Sequence, residues 1–168
     1  MDRFVSSFTN KLDAKGRVSI PASFRSVLAK DGFEGLYVHP SLEADALDAG
    51  GNGLLREIDS LIETLPPFSD ERDHFSTALY GISEVLKVDP EGRVGLTETL
   101  KLHAGITDAV TFVGLGHKFQ IWEPSRFQRH LDEARRKVRD LKKELSGVLK
   151  KEPAGALRQG HDPGARER

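Results

Sequence analysis

Lys11-Leu12-Asp13-Ala14-Lys15-Gly16-Arg17-Val18-Ser19-Ile20-Pro21 returns 76 residues later as Lys87-Val88-Asp89-Pro90-Glu91-Gly92-Arg93-Val94-Gly95-Leu96-Thr97. At the same offset Phe24 meets Leu100, Ala29 meets Gly105, and Leu36-Tyr37-Val38 meets Phe112-Val113-Gly114 with no gap. An internal repeat held at one offset is the mark of a tandem duplication. Each copy reads as a strand, a tight turn, a second strand, a short helix, a pair of strands and then a longer helix.

The turn has a local mechanism. Asp13 and Asp89 stand where a type I turn favours a side-chain acceptor, and Gly16 and Gly92 supply the positive-φ residue that closes such a hairpin with a bulge. Val18 and Ile20, like Val94 and Leu96, alternate with polar neighbours as half-buried strands do. Pro21 pre-sets the first turn of a helix over Pro21 to Lys30, and Thr97 caps its counterpart near Glu98 to His103.

Further out, Val110, Phe112, Leu115, Phe119, Ile121 and Trp122 bracket Gly114 to Lys118 as a second-copy hairpin. The first-copy equivalent, Glu43 to Leu47, is a poor strand by propensity and is expected as a shortened or irregular edge. One helix is expected over Asn52 to Leu65, with Leu54, Leu55, Ile58, Leu61 and Ile62 on one face, and another over about Ser69 to Tyr80. Pro66-Pro67 separates them. A final helix starts after Pro124-Ser125 and spaces Phe127, Leu131, Ala134, Val138, Leu141 and Leu145 alternately by four and three, with Gly147 as its expected end. That stripe reads more readily as a packing face than as a coiled-coil seam. Beyond Lys150 the few apolar groups predict a disordered tail.

The chain has 168 residues, enough for one ordinary domain or two small ones. With 38% hydrophobic and 30% charged residues it is expected to fold. It contains no cysteine, which excludes disulfides, thiolate metal sites and a cysteine nucleophile. The longest stretch without Asp, Glu, Lys or Arg, His74 to Ser83, is far below the roughly 20 residues of a membrane helix, and no signal peptide is read at the start, so a cytoplasmic protein without membrane contact is expected.

A net charge of −1 hides strong segregation. Residues 1–30 carry +4, 31–80 carry −9, 81–123 carry −2 and 124–168 carry +6. Part of the C-terminal excess is the solvated outer face of the last helix, with Arg135, Arg136, Lys137, Arg139, Lys142 and Lys143. The N-terminal block is therefore the more telling one.

Residues that could carry catalysis do not converge. The six histidines are scattered singly with no ligand spacing, so no metal site, cofactor or catalytic group is expected. Gly114-Leu115-Gly116 lacks the third glycine of a dinucleotide loop and precedes a strand, and no phosphate-loop or serine-hydrolase motif occurs.

The twin Asp-x-x-x-Arg turns admit two readings. In one, Arg17 and Arg93 only pair with Asp13 and Asp89 across the turn, a contact worth little where it is exposed. In the other, Lys15, Gly16 and Arg17 place two cations and a backbone N–H at a hairpin tip, where they can reach phosphates and a guanine edge.

These residues resemble the MraZ family of bacterial regulators, encoded at the head of the division and cell-wall gene cluster, from Arg3 to about Leu149. Asp13 to Arg17 with Val18-Ser19-Ile20-Pro21 matches the first of the family's two SpoVT/AbrB-like modules, and Asp89 to Arg93 the second. His103-Ala104-Gly105, Val113-Gly114 and Lys118-Phe119 are also similar. The resemblance implies an α+β fold in which two tandem AbrB-like swapped-hairpin modules form a pseudo-symmetric β-barrel core with flanking helices. The segments are then a first module over 1–50, a helical connection over 51–80, a second module over 81–124, a C-terminal helix over 125–149 and a tail over 150–168.

It also implies a ring-shaped homo-oligomer that is associated with the nucleoid and binds short double-stranded DNA repeats in its own promoter region to regulate transcription. DNA contact then falls to Lys15, Arg17, Arg93 and Arg3, with Asp13, Gly16, Asp89 and Gly92 as turn formers. The sequence departs from the family in an acidic, Gly-rich Glu43 to Gly51 and in Glu91, which replaces a base at the second turn. The rival reading is an antitoxin-type AbrB-like module that also captures a protein partner. A tail of apolar anchors would favour it, and Glu152 to Arg168 lacks one.

Overall fold

A computed structural model describes residues 2–151. The chain runs β1 (Ser7–Lys11), β2 (Arg17–Ser19), α1 (Ala22–Asp31), β3 (Leu36–Pro40), β4 (Leu47–Gly50), α2 (Asn52–Glu63) and α3 (Asp70–Ser76). After a π-helical turn at Thr77–Gly81 come β5 (Glu84–Leu86), β6 (Arg93–Gly95), α4 (Glu98–Ala104), β7 (Ala109–Gly114), β8 (Phe119–Trp122) and α5 (Pro124–Lys151). The expected α+β class is found, with antiparallel strand pairing throughout.

Six strands form one sheet in the order β1-β7-β8-β4-β3-β5, and β2 pairs with β6 in a separate two-stranded ribbon. Exchanging the two repeats reverses the sheet order onto itself: β1 becomes β5, β7 becomes β3 and β8 becomes β4. The ribbon obeys the same symmetry, since Val18 faces Val94, its own repeat equivalent, with Arg17 opposite Gly95 and Ser19 opposite Arg93. Each repeat contributes its first strand to the other, β1 to β7 and β5 to β3.

The expected β-barrel is not formed. β1 and β5 are the two edges of an open sheet, and the ribbon, whose strands pair with each other, does not bridge them. The turns also join strands of different sheets. Asp13 N–H donates to the Arg17 carbonyl at 2.8 Å, after which β1 pairs with β7 and β2 with β6.

Alternation along the strands builds two cores. Leu36 and Val38 enter the main core, while Tyr37 between them belongs to a second cluster with Leu54, Ile58 and Ile62 of α2 and with Leu79. The main core joins both repeats: Val18, Ile20 and Phe24 from one and Val94, Leu96 and Leu100 from the other are all buried within it. Phe24 stands at its centre, with ring centroids 5.3 Å from Phe4, 4.9 Å from Phe119 and 6.4 Å from Phe112. Residues Met1–Phe127 thus make one compact unit shared by the two copies.

The starts of α1 and α4 follow the capping expectations. Pro21 precedes α1, and Gly32 ends it with φ 80°. Thr97 Oγ1 accepts the Leu100 N–H at 3.4 Å to cap α4. Leu54, Ile58 and Ile62 of α2 are buried, whereas Leu61 is 45% exposed.

Three elements differ from expectation. The poor strand propensity of Glu43 to Leu47 is borne out, since only Leu47 of that stretch enters β4, but β4 is not an edge: it lies between β8 and β3 with all four residues buried. Its acid is accommodated because Asp48 Oδ1 accepts from Gln120 Nε2 at 2.8 Å while Oδ2 lies 3.4 Å from Lys118 Nζ and 3.7 Å from His39 Nε2. Pairing within the sheet outweighs intrinsic propensity there. The helix expected to Tyr80 stops at Ser76 and widens into the π turn, where Tyr37 Oη donates to the Leu79 carbonyl at 3.1 Å.

α5 passes through Gly147 to Lys151, because an interior glycine costs a helix only about 1 kcal/mol. Its Val138, Leu141 and Leu145 are more than half exposed. From Gln128 onward the described residues belong to a second unit. The expected tail falls, from residue 152 onward, outside the described residues. Among the described residues no helix is long and apolar enough to cross a membrane.

Candidate nucleic-acid interface

Each turn is organised by its aspartate. Asp13 Oδ1 accepts the backbone N–H groups of Lys15 and Arg17, both at 2.9 Å, and Oδ2 accepts Arg17 Nε at 2.8 Å. The Gly16 N–H closes the turn onto the Asp13 carbonyl at 3.0 Å, with Gly16 at φ 77°. The second turn repeats the pattern. Asp89 Oδ1 accepts from Glu91 and Arg93 at 2.9 Å, Oδ2 accepts Arg93 Nε at 2.9 Å, and Gly92 sits at φ 81°. Arg17 N–H holds the Asp13 carboxyl below the usual carboxylate range, and Arg93 N–H does the same for Asp89.

The turns are tied to each other by two further bonds related by the repeat. Ile20 N–H donates to the Gly92 carbonyl at 2.9 Å, and Leu96 N–H donates to the Gly16 carbonyl at 3.3 Å. Between them runs the β2–β6 ribbon. Side chains alternate across a strand, so burial of Val18 and Val94 sends Arg17, Ser19 and Arg93 to the opposite, outer face. The two arginine Cα atoms stand roughly 8 Å apart on the ribbon, from a rise of about 3.3 Å per residue and a strand separation of about 4.8 Å.

The symmetry stops at the charges. Arg17 meets Asp13, whereas Arg93 meets Asp89 at 2.9 Å, Glu91 at 3.3 Å and Asp13 at 3.9 Å. The hydrogen bond that Arg93 donates to Asp89, reinforced by the other two carboxylates, raises the Arg93 pKa. Arg17 is also the more exposed, at 36% of its side chain against 26%. Lys15 is exposed at the first tip, and Glu91 occupies the equivalent place at the second.

Lys15, Arg17 and Arg93 are therefore brought together with their four turn formers. Arg3 is not. It precedes Phe4, whose N–H donates to the Gly116 carbonyl at 2.7 Å, and the length of β1 separates it from the Asp13 turn.

Sequence reasoning missed two cations at the turns. The Arg25 guanidinium, from α1, lies over Gly92: its Cζ is 2.8 Å from where a Cβ on that glycine would stand. Lys101, from α4, stands over Gly16, its Nζ 3.8 Å from the corresponding point and 2.9 Å from Glu98 Oε1. Arg25 and Lys101 are themselves 76 residues apart. The repeat offset that identified the turns could have found them.

The family described as "MraZ protein, putative antitoxin-like" matches residues 80–147. A protein of Beijerinckia indica subsp. indica named "Transcriptional regulator MraZ" is 73% identical over 146 residues, which cover 87% of this chain and 89% of that protein. One of the same name from Methylocella silvestris is 65% identical over 167 residues, covering 99% of this chain and all of its own. Another from Rickettsia akari is 41% identical over 136 residues, covering 81% of this chain and 91% of its own. With relatives of that name 65–73% identical over 87–99% of this chain, the chain belongs to the MraZ family.

Proposed function

We propose that this chain is a DNA-binding transcriptional regulator and not an enzyme, with the outer face of the β2–β6 ribbon and its two turns as the DNA surface. The observation that carries the reading is the paired presentation of Arg17 and Arg93 on one outward face, each oriented by its own turn aspartate. A two-stranded ribbon fits the major groove, where an arginine fork reads guanine O6 and N7. Lys15 at the exposed first tip supplies phosphate contact. Arg3, at the far end of β1, would reach DNA only as a separate phosphate contact. The names carried by the relatives support regulation of transcription.

The finer reading is that the protein acts on short repeats in the promoter of its own division and cell-wall gene cluster, in the cytoplasm at the nucleoid, as a ring-like homo-oligomer. The exchange of first strands between the repeats supports kinship with tandem swapped-hairpin modules of the AbrB kind, here with an open sheet. Salt-dependent binding to the DNA upstream of its own gene, with light scattering on the same sample, tests this reading. Nanomolar binding to that DNA and much weaker binding to unrelated sequence is the expected result. Equal binding to both would overturn sequence-specific regulation.

A further inference from the structure

We infer that the two guanine-reading arginines are Arg17 and Arg25, so that the second turn borrows its reading cation from the helix of the first repeat. This rests on the DNA-binding reading above and assigns a residue within it.

The argument begins with what each cation already holds. Arg93 is the arginine that the second turn's own motif provides, but Asp89, Glu91 and Asp13 all lie within 4 Å of its guanidinium. An incoming base edge or phosphate must compete with three carboxylates. Arg25 reaches the same turn from α1 and meets no carboxylate at ion-pair distance among the described residues.

Its Nε donates to the Ile20 carbonyl at 3.1 Å. That bond fixes the plane of the guanidinium and leaves the two Nη groups to form a fork, the pre-organised geometry in which arginine differs from lysine. Gly92 makes the seat possible, because any Cβ there would strike Arg25, with Cδ at 2.5 Å and Cζ at 2.8 Å. At the first turn the position related by the repeat is held by Lys101, which is paired with Glu98 and lacks a fork. Arg17 serves that turn. The charge that Glu91 removes from the second turn is thus restored by Arg25, and neither repeat carries a complete DNA surface by itself.

The experiment compares R17A, R25A, R25K and R93A for binding to duplex DNA from upstream of the protein's own gene and to scrambled duplex, across a salt series, with hydroxyl-radical footprints. Melting temperature and light scattering accompany each variant. R25A is expected to lose affinity for the upstream duplex about ten- to hundredfold, to lower the salt slope by about one, and to lose part of the footprint while the part that depends on Arg17 remains.

R25K is expected to keep the slope and lose discrimination against scrambled DNA, a split that a merely structural Arg25 would not produce. R93A is expected to weaken binding less than fivefold. R25A within twofold of wild type while R17A abolishes binding overturns this assignment and leaves the function standing. R25K with full discrimination overturns it equally, also where R25A fails to fold. Loss of nothing in either R17A or R25A overturns the DNA surface itself.

Discussion

Arg93 Nη1 lies 3.9 Å from Asp13 Oδ2, an ion pair that crosses from the second repeat to the first. The same carboxylate oxygen already accepts Arg17 Nε at 2.8 Å. The image of this contact under the repeat would join Arg17 to Asp89, and no such pair forms among the described residues. One aspartate therefore touches both motif arginines, and the pseudo-symmetric ribbon carries an asymmetric charge pattern. The sequence carries charge differences at the turns themselves, since Glu91 stands where the first turn has Lys15 and Lys101 is the repeat equivalent of Arg25.

Arg17→Ala is accordingly expected to abolish specific DNA binding while melting temperature and oligomer size stay unchanged. A lost bidentate contact costs about 1 to 3 kcal/mol, and its repetition around the proposed oligomer would multiply the loss. Arg93→Ala should be the milder change. Gel-shift titration checks both, and an Arg93 variant weaker than the Arg17 variant would reverse the ranking.

The two turn glycines should respond unequally to alanine. Both have positive φ, which costs a residue with a Cβ roughly 1 to 2 kcal/mol. At Gly16 the nearest atom is the far end of Lys101, 3.8 Å away, whereas at Gly92 the Arg25 guanidinium must also move. Gly92→Ala should therefore lower the denaturation midpoint more than Gly16→Ala. Equal midpoints would show that Arg25 yields without cost.

The turns were legible in the sequence because their chemistry is local: Asp13 and Gly16 act within five residues of chain, and α1 and α4 carry their caps beside them. The repeat offset added the long-range symmetry. What could not be read was decided by pairing between distant segments. β4 became a central strand because Leu47, Asp48 and Ala49 pair with β3 and β8 and because Gln120 and Lys118 satisfy Asp48. The open sheet could not be read either, since closure depends on which strands β1 and β5 meet. Arg25 and Lys101 share the 76-residue offset, but the place of Arg25 over the other repeat's turn depends on how α1 packs.

Acid should weaken the turns in a defined window. Asp13 and Asp89 have folded pKa values below the ordinary aspartate value of about 3.9. Their charged forms are thus favoured in the folded state, and the stability they contribute is fully present above that ordinary value. It is lost as pH falls through the lower folded values. The melting-temperature difference between wild type and an Asp13→Asn, Asp89→Asn double variant should be constant above about pH 5 and shrink below pH 4. A difference that stays constant into strong acid would mean that the carboxylate charges do not hold the turns.

Binding should fall steeply with salt, although each chain is nearly neutral at −1. The cations on the ribbon face displace counterions from phosphates locally, and the logarithm of affinity declines with the logarithm of salt in proportion to the phosphates contacted. A flat response between low and physiological ionic strength would point to an apolar partner instead of DNA.

A head-to-tail assembly is expected from the two open sheet edges. β1 spans Ser7–Lys11 and β5 spans Glu84–Leu86, so the repeat supplies edges that are related but unequal in length. Phe8 is 38% exposed beside one and Val85 is 63% exposed on the other. An uncovered edge offers a row of unpaired N–H and C=O groups to another chain. Unequal edges that meet head to tail make a heterologous contact, which closes into a ring where the rotation permits. A ring would carry many weakly binding ribbons past one DNA duplex at high effective concentration, so affinity should depend on several operator repeats in regular spacing. Light scattering should show a cyclic assembly well above a dimer, and a duplex with three repeats should bind far more tightly than a duplex with one. A monomer at micromolar concentration, or equal affinity for one repeat and three, would replace this mechanism with that of a simple regulator whose ribbon acts alone.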